Sequence, residues 1–283
     1  MEAVDARAIL ARLGKEVASG RLIPYLGPDV LALSPEPSPV PVGARALSHM
    51  LAAKVAVPGR IRDNLWHSAQ YIETFRHRVT LDRLMADIFR PIPNPGPLHT
   101  WLAGLPGVPV IVDTWYDGAM AKALAGRHDW GLVQGASKAR RVDAAPWFRA
   151  YDSAGRDSAA MDWRTVLYKP HGAAAPAGDV LVSDADYVEV LSEIDIQNPI
   201  PPVVQDRRTG RGFLFLGCRF YDQILRTFAR SILRRSGGPH YAVMPPGELT
   251  PNERKFLAAE SILPLELPLA EAAVLLPGVE ARA

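Results

Sequence analysis

A single cysteine, Cys218, stands among 283 residues, which excludes an intramolecular disulfide framework and any zinc site built from several cysteines. A reducing, cytoplasmic setting is therefore expected. No uncharged apolar run approaches the ~20 residues of a membrane-spanning helix, and the opening Met-Glu-Ala-Val-Asp-Ala-Arg carries acids where a secretory signal would be basic and then apolar. Neither a membrane partner nor a targeting segment is expected. Charge of one sign is lacking too: 32 Lys and Arg face 30 Asp and Glu, a net charge of +2, so nothing draws the whole surface toward nucleic acid or lipid. Any anion site must be local. Walker, GxGxxG, GxSxG, HExxH and Cys-x-x-Cys patterns are all absent. The seven histidines are dispersed, so no metal site is expected, and the six tryptophans and eight tyrosines form no stacking platform for single strands.

What the chain does contain is ample apolar material: 48% of residues are hydrophobic and 22% charged, enough for a sizeable core. Proline, at 26 residues, clusters at 35–41 (SPEPSPV) and 91–97 (PIPNPGP). These are loops, because proline has no amide donor and does not fit inside a helix or a central strand. Ile9, Leu10, Leu13 and Val17 share one face of a helix over 4–18, ended by Gly20. Leu22–Leu26 (LIPYL) then reads as a buried strand stopped at Gly27-Pro28-Asp29. Helical patterns at about 43–56, 63–77 and 80–89, with no strand between them, predict a helical insertion over about 43–90. A short helix at 98–103 precedes a second apolar strand, Val108–Val112, a polar turn and a helix from Gly118 to about Leu124. No element is assigned over 126–160, which includes the basic run KARR at 138–141. Further strands are expected at Thr165–Tyr168, Phe213–Leu216, His240–Met244 and Leu263–Leu267. A helix opened by Ser183 carries acids in its first turn, and another places Ile224, Leu225, Phe228 and Ile232 on one face. Short apolar strands alternating with helices predict an α/β fold, a Rossmann-like parallel sheet with helices on both faces.

In an open parallel sheet ligands bind beyond the carboxyl ends of the strands. Four turns there carry polar or glycine residues, at 27–29, 113–117, 169–172 and 217–222, in the stretches LIPYLGPD, VIVDTWYD, YKPHG and FLFLGCRFYD. Taken in this order over roughly residues 20–265, with the Leu98-His99 helix and the DADYVEVL stretch at 184–191, they resemble the sirtuin family, and more closely its bacterial sirtuin-like branch. The resemblance implies one NAD-binding domain over 1–283, with a nucleotide-binding core at about 20–42 and 91–270. It places Gly27, Asp29, Thr114, Trp115, Asp117, Gly217, Cys218 and Arg219 where the family touches NAD or ADP-ribose. His171 falls at the position of the general base on a ribose hydroxyl, a role suited to a near-neutral imidazole.

Three of the four turns depart from the family pattern. Asp29 replaces the glycine that lets backbone amides approach a pyrophosphate, and its carboxylate adds repulsion. Trp115 stands where an asparagine orients the ribose or the attacking water, and an indole cannot accept a hydrogen bond. Arg219 matches the polar side chain that holds the adenosine ribose. Asp113 and Asp117 either stabilise an oxocarbenium-like centre or cap the next helix, the cap being the plainer role for Asp117. Cys218 reads as a small core residue rather than a reactive thiol. The basic stretches RRTGR (207–211) and RSILRR (230–235) read as a solvated loop and a helix C-terminus rather than a nucleic-acid surface. Without the four cysteines of the zinc-ribbon deacylases, protein deacylation is the least expected activity and no zinc is expected. The sequence points to a nucleotide-binding module with impaired turnover. The alternatives are an NAD glycohydrolase acting through His171, as in a bacterial defence effector, and a structural protein whose pocket Trp115 fills. A homo-oligomer stays open.

Overall fold

The computed structural model describes residues 6–137, 147–193 and 200–278, so the basic run at 138–141 lies outside the described residues. Eight strands, β1 (Leu22–Leu26), β2 (Val110–Asp113), β3 (Trp130–Gly135), β4 (Phe148–Asp152), β5 (Thr165–Lys169), β6 (Gly212–Leu216), β7 (His240–Met244) and β8 (Ile262–Glu266), form one sheet. Their order is β4-β3-β5-β2-β1-β6-β7-β8. Every neighbouring pair is parallel except β3 with β4.

The helices are α1 (Ala6–Ala18), α2 (Ala44–Lys54), α3 (Leu65–Arg76), α4 (Arg78–Ile88), α5 (Pro97–Ala103), α6 (Ala119–Leu124), α7 (Asp184–Glu193), α8 (Pro202–Arg208), α9 (Gln223–Leu233), α10 (Pro251–Ala259) and α11 (Leu269–Leu275). Side chains alternate across each strand. On one sheet face Leu22, Leu26, Ile111, Leu167, Leu214 and Leu216 pack with α1, α5, α6 and α11 through Leu10, Leu13, Leu102, Met120 and Ala272. On the other, Ile23, Tyr25, Val112, Val166, Phe213 and Phe215 pack with α8, α9 and α10 through Val204, Ile232 and Phe256. The fold is a Rossmann-like α/β sheet with helices on both faces.

Two strands were not expected. β3 (WGLVQG) mixes two glycines and a glutamine into its run, and β4 (FRAYD) is a half-exposed edge strand, so neither carries a strong apolar signal. The antiparallel β3–β4 pair makes the sheet mostly, not wholly, parallel. The reading of 207–211 as a solvated loop is also corrected. Arg207 and Arg208 close α8, and Arg208 is buried with Nη1 donating to Ser231 O (3.1 Å) and Ile232 O (2.9 Å) at the end of α9. Arg207 donates to Pro109 O (2.8 Å) and Trp163 O, and Arg211 to Gly20 O (2.9 Å). These guanidinium groups are spent on backbone carbonyls within the fold. No helix among the described residues is long and apolar enough to cross a membrane.

The insertion consists of α2, α3 and α4. Its core, with Leu47, Leu51, Leu65, Trp66, Ile72, Leu81 and Met85, runs without a break into Trp115, Tyr116 and Phe228. β1 lies at the centre of the sheet, next to β2 on one side and β6 on the other, and the chain builds outward in both directions from it. This is the topological switch point where a crevice opens. Leu26 pairs with both Asp113 and Leu216, and Val112 pairs with Tyr168, so the four expected turns emerge side by side.

Candidate functional site

The turns after β1 and β6 clasp each other. Gly27 N donates to Leu216 O (2.8 Å), Asp29 N to Gly217 O (3.2 Å) and Val30 N back to Gly27 O (3.3 Å), while Pro28 has no N–H. A Cβ on Gly27 would lie 2.1 Å from Gly217 O, and one on Gly217, whose φ is +66°, would lie 2.8 Å from Val30 N. Glycine is needed at both positions for backbone to meet backbone. As a result these three amides point into the protein, whereas a glycine-rich phosphate turn aims its amides at the ligand. Burial raises the Asp29 carboxyl above the usual range, against the lowering effect of Arg219.

After β2, Asp113 joins two turns: Oδ2 takes Lys169 Nζ at 2.6 Å and Oδ1 accepts Trp115 N at 3.1 Å. Both partners of the ion pair are buried. Thr114 donates through N and Oγ1 to Leu26 O, at 3.0 and 2.8 Å. The Trp115 indole donates from Nε1 to Pro41 O (2.8 Å) in the proline loop, and its ring packs against Phe89 and Tyr116 at 5.9 and 5.1 Å. Asp117 stands just before Gly118, the N-cap of α6, with Oδ1 accepting Ala119 N at 2.7 Å. Burial and the neighbouring Asp113 raise its carboxyl. Burial, reinforced by Lys169, takes His99 down to about 4 despite Asp117.

After β5, His171 is buried against Phe228 (4.4 Å between ring centroids), with Nδ1 at 3.0 Å from Tyr187 Oη. Burial, and secondarily the Lys169 charge, take its pKa down to about 3, so the ring is neutral at physiological pH. After β6, Cys218 directs Sγ at Tyr25 O (3.5 Å), and burial pushes the thiol up; it is not a thiolate nucleophile. The Arg219 guanidinium is forked onto the buried Glu253, Nε–Oε1 3.0 Å and Nη2–Oε2 3.1 Å. Burial would raise Glu253, but Arg219 and the Thr250 and Phe220 amides outweigh it and hold the carboxyl at about 2.

These turns enclose a narrow cleft of about 80 Å³, lined by Gly27, Asp29, Thr114, Trp115, His171, Cys218 and Arg219 together with Trp66 and Tyr187. Two expected site residues are not on its wall. Gly217 lies behind it, in the clasp, and Asp117 lines a separate cavity between the end of α4, α6 and β3. Among the described residues no group of three or more His, Cys, Asp and Glu side chains is placed to hold a metal ion.

A second layer was not read from the sequence. Arg78, at the start of α4, donates to Asp186 Oδ1 (2.7 Å), Asp82 Oδ1 (2.9 Å) and Val180 O (2.6 Å). Asp186, 1% exposed, also takes Ser137 Oγ (2.6 Å) and the Val182 and Ser183 amides. This fixes the segment whose Leu181 O accepts both Tyr116 Oη (2.8 Å) and Tyr187 Oη (3.0 Å). Tyr187 and Asp186 lie in the DADYVEVL stretch, which was a signal; Arg78 carried none.

A mostly parallel Rossmann-like sheet with a largely apolar cleft at its switch point places the chain in the Rossmann-like α/β class. Within that class, the family model described as a SIR2-like domain matches residues 109–265. That is more than half of the chain, and the chain belongs to the SIR2-like family. No curated protein matches the chain. The match takes in the second, third and fourth turns, while the first turn and the helical insertion precede it.

Proposed function

We propose that the cleft is a site for a nucleotide of the NAD or ADP-ribose type and that the protein is a binding module with turnover lost. One juxtaposition carries the reading: His171 opens onto the same narrow cleft as Trp115. A neutral imidazole there can accept a ribose hydroxyl. Cleaving the nicotinamide bond needs more, because ribose and water must be held in near-attack geometry. The indole offers no acceptor for either, and its one polar atom is committed to Pro41 O. The diphosphate cradle is weakened as well, since the amides of Gly27, Asp29 and Val30 are bonded inward. A ligand larger than the present cleft enters when the Trp115 ring swings off Pro41, so binding is coupled to release of the proline loop. A closed structural pocket is the second reading, favoured by that same indole contact.

Thermal melting with ADP-ribose or NAD, alongside a nicotinamide-release assay, separates these readings. A ligand at a hundredfold excess over Kd stabilises the fold by about 2.7 kcal/mol. The expected outcome is a raised Tm with nicotinamide release at background, and His171→Ala should leave that background unchanged. Trp115→Asn removes bulk and supplies an amide, so it should strengthen binding. Robust release by the unmodified protein, abolished in His171→Ala, would make it an NAD glycohydrolase instead. No shift with either nucleotide, in Trp115→Asn as well, would leave the structural reading.

A further inference from the structure

His171 is held by one hydrogen bond, and the chemistry of its partner decides which ring nitrogen faces the cleft. The Tyr187 hydroxyl has a single hydrogen and lies 3.0 Å from both Leu181 O and His171 Nδ1. A carbonyl oxygen can only accept, whereas an imidazole nitrogen can donate or accept, and the hydroxyl is directed at Leu181 O beside that of Tyr116 (2.8 Å). If it pointed at the imidazole, two lone-pair-bearing oxygens would face each other at 3.0 Å with no proton between them. With its hydrogen on Leu181 O, Tyr187 Oη has a lone pair to accept from His171, an arrangement that puts the imidazole proton on Nδ1. Nε2 is left as an unprotonated acceptor with no partner among the described residues, on a ring that lines the cleft.

We infer that Tyr187 is the positioning residue for His171: its hydroxyl fixes the Nδ1–H tautomer and so presents Nε2 to the cleft as the acceptor for a hydroxyl of the bound sugar. The inference rests on the nucleotide-site reading for its ligand but not for its geometry. The device reaches across the fold. Tyr187 is carried by α7, its acceptor Leu181 by the strap before that helix, and Arg78 of the insertion ties both down through Asp186 and Val180. A helix inserted between β1 and β2 thus sets the protonation pattern of a residue that follows β5. The hydroxyl acts on the ring rather than on the ligand, so removing it should alter acceptance at Nε2 while the cleft keeps its shape. Tyr187→Phe retains the ring that meets Phe228 edge-on at 6.3 Å.

The test is nitrogen NMR on histidine-labelled protein, with the His171 signals assigned by their loss in His171→Gln. The wild type should show a protonated Nδ1 and an imine-type Nε2 across neutral pH without any ligand. In Tyr187→Phe the proton should move to a large extent to Nε2, and ADP-ribose, the probe used, should bind about five- to tenfold more weakly, the loss of one hydrogen bond. A folded wild type with the proton on Nε2 overturns the inference, as does a folded Tyr187→Phe whose tautomer is unchanged. Because the tautomer is read in the free protein, failure of ADP-ribose to bind the wild type would sink the nucleotide reading and leave the assignment of Tyr187 standing.

Discussion

Gly27 and Gly217 are needed for related but unequal reasons, and the difference can be measured. Gly27 has ordinary backbone angles, φ −97° and ψ 175°, and is glycine because Gly217 O would sit 2.1 Å from its Cβ. Gly217 carries a left-handed φ of +66° as well as a contact of 2.8 Å to Val30 N. Alanine at either site must push two central turns apart. Gly217→Ala, which adds conformational strain of about 1–3 kcal/mol to the contact, should lose at least as much stability as Gly27→Ala in urea unfolding. Equal midpoints for wild type and both variants would show that the clasp is slack. At this scale the sequence revealed that Gly27-Pro28-Asp29 ends a strand, but not that its amides turn inward toward β6. It also put Arg219 at a ligand position, although its guanidinium is held by Glu253, 34 residues further on.

The link between α4 and α7 is an ion-pair network of a kind whose loss is expensive. Arg78 is 11% exposed and meets Asp82 and Asp186, which are 7% and 1% exposed. Desolvation opposes its charge, but the surrounding carboxylates more than compensate and raise its pKa. Arg78→Met should destabilise the protein by about 3–5 kcal/mol, because two buried carboxylates lose the guanidinium charge that faces them. Arg45 pairs with Asp63 with both side chains largely in water, so Arg45→Ala should cost about 0–1 kcal/mol. Urea midpoints of the two variants that coincide would refute the distinction. Elements with long apolar faces, such as α1, β1, β2, β5 and β6, were legible because the pattern of one segment is enough to declare them. β3 and β4 were not, since an edge pair with glycine and half-exposed positions is completed by its neighbours rather than by its own residues.

Across the whole molecule, buried neutral histidines make folding sensitive to acid. The native values of about 3 for His171 and about 4 for His99 lie below the ~6.5 of an unfolded histidine. Above pH ~6.5 neither state binds a proton and stability is level. Below it the unfolded chain takes up protons that the native chain refuses, so stability falls as pH falls, down to the native values, at up to about 1.4 kcal/mol per pH unit for each ring. Asp29 and Asp117, whose carboxyls burial raises, oppose the trend over their own range. Chemical unfolding at about pH 7 and about pH 5 should show a loss of about 2 kcal/mol per histidine, and His99→Gln should remove its share. A wild type equally stable at both values would contradict the buried neutral state of these rings.

From sequence alone came the strand–turn–helix units, the order of the four turns, the helices between the first two strands and the position of His171 just after a strand. Each of these is written within a single stretch of chain, in apolar runs and turn residues that act on their immediate neighbours. Tertiary structure decided which polar atoms remain available to a ligand. Trp115 is tied to Pro41, 74 residues away, Arg78 to Asp186, 108 away, and His171 to Tyr187, whose own hydrogen goes to a carbonyl that also serves Tyr116. A hydrogen-bonding group has few places to bond, and partners this distant in the chain are chosen by the sheet order and the packing of the insertion. Spacing along the sequence carries no record of that choice.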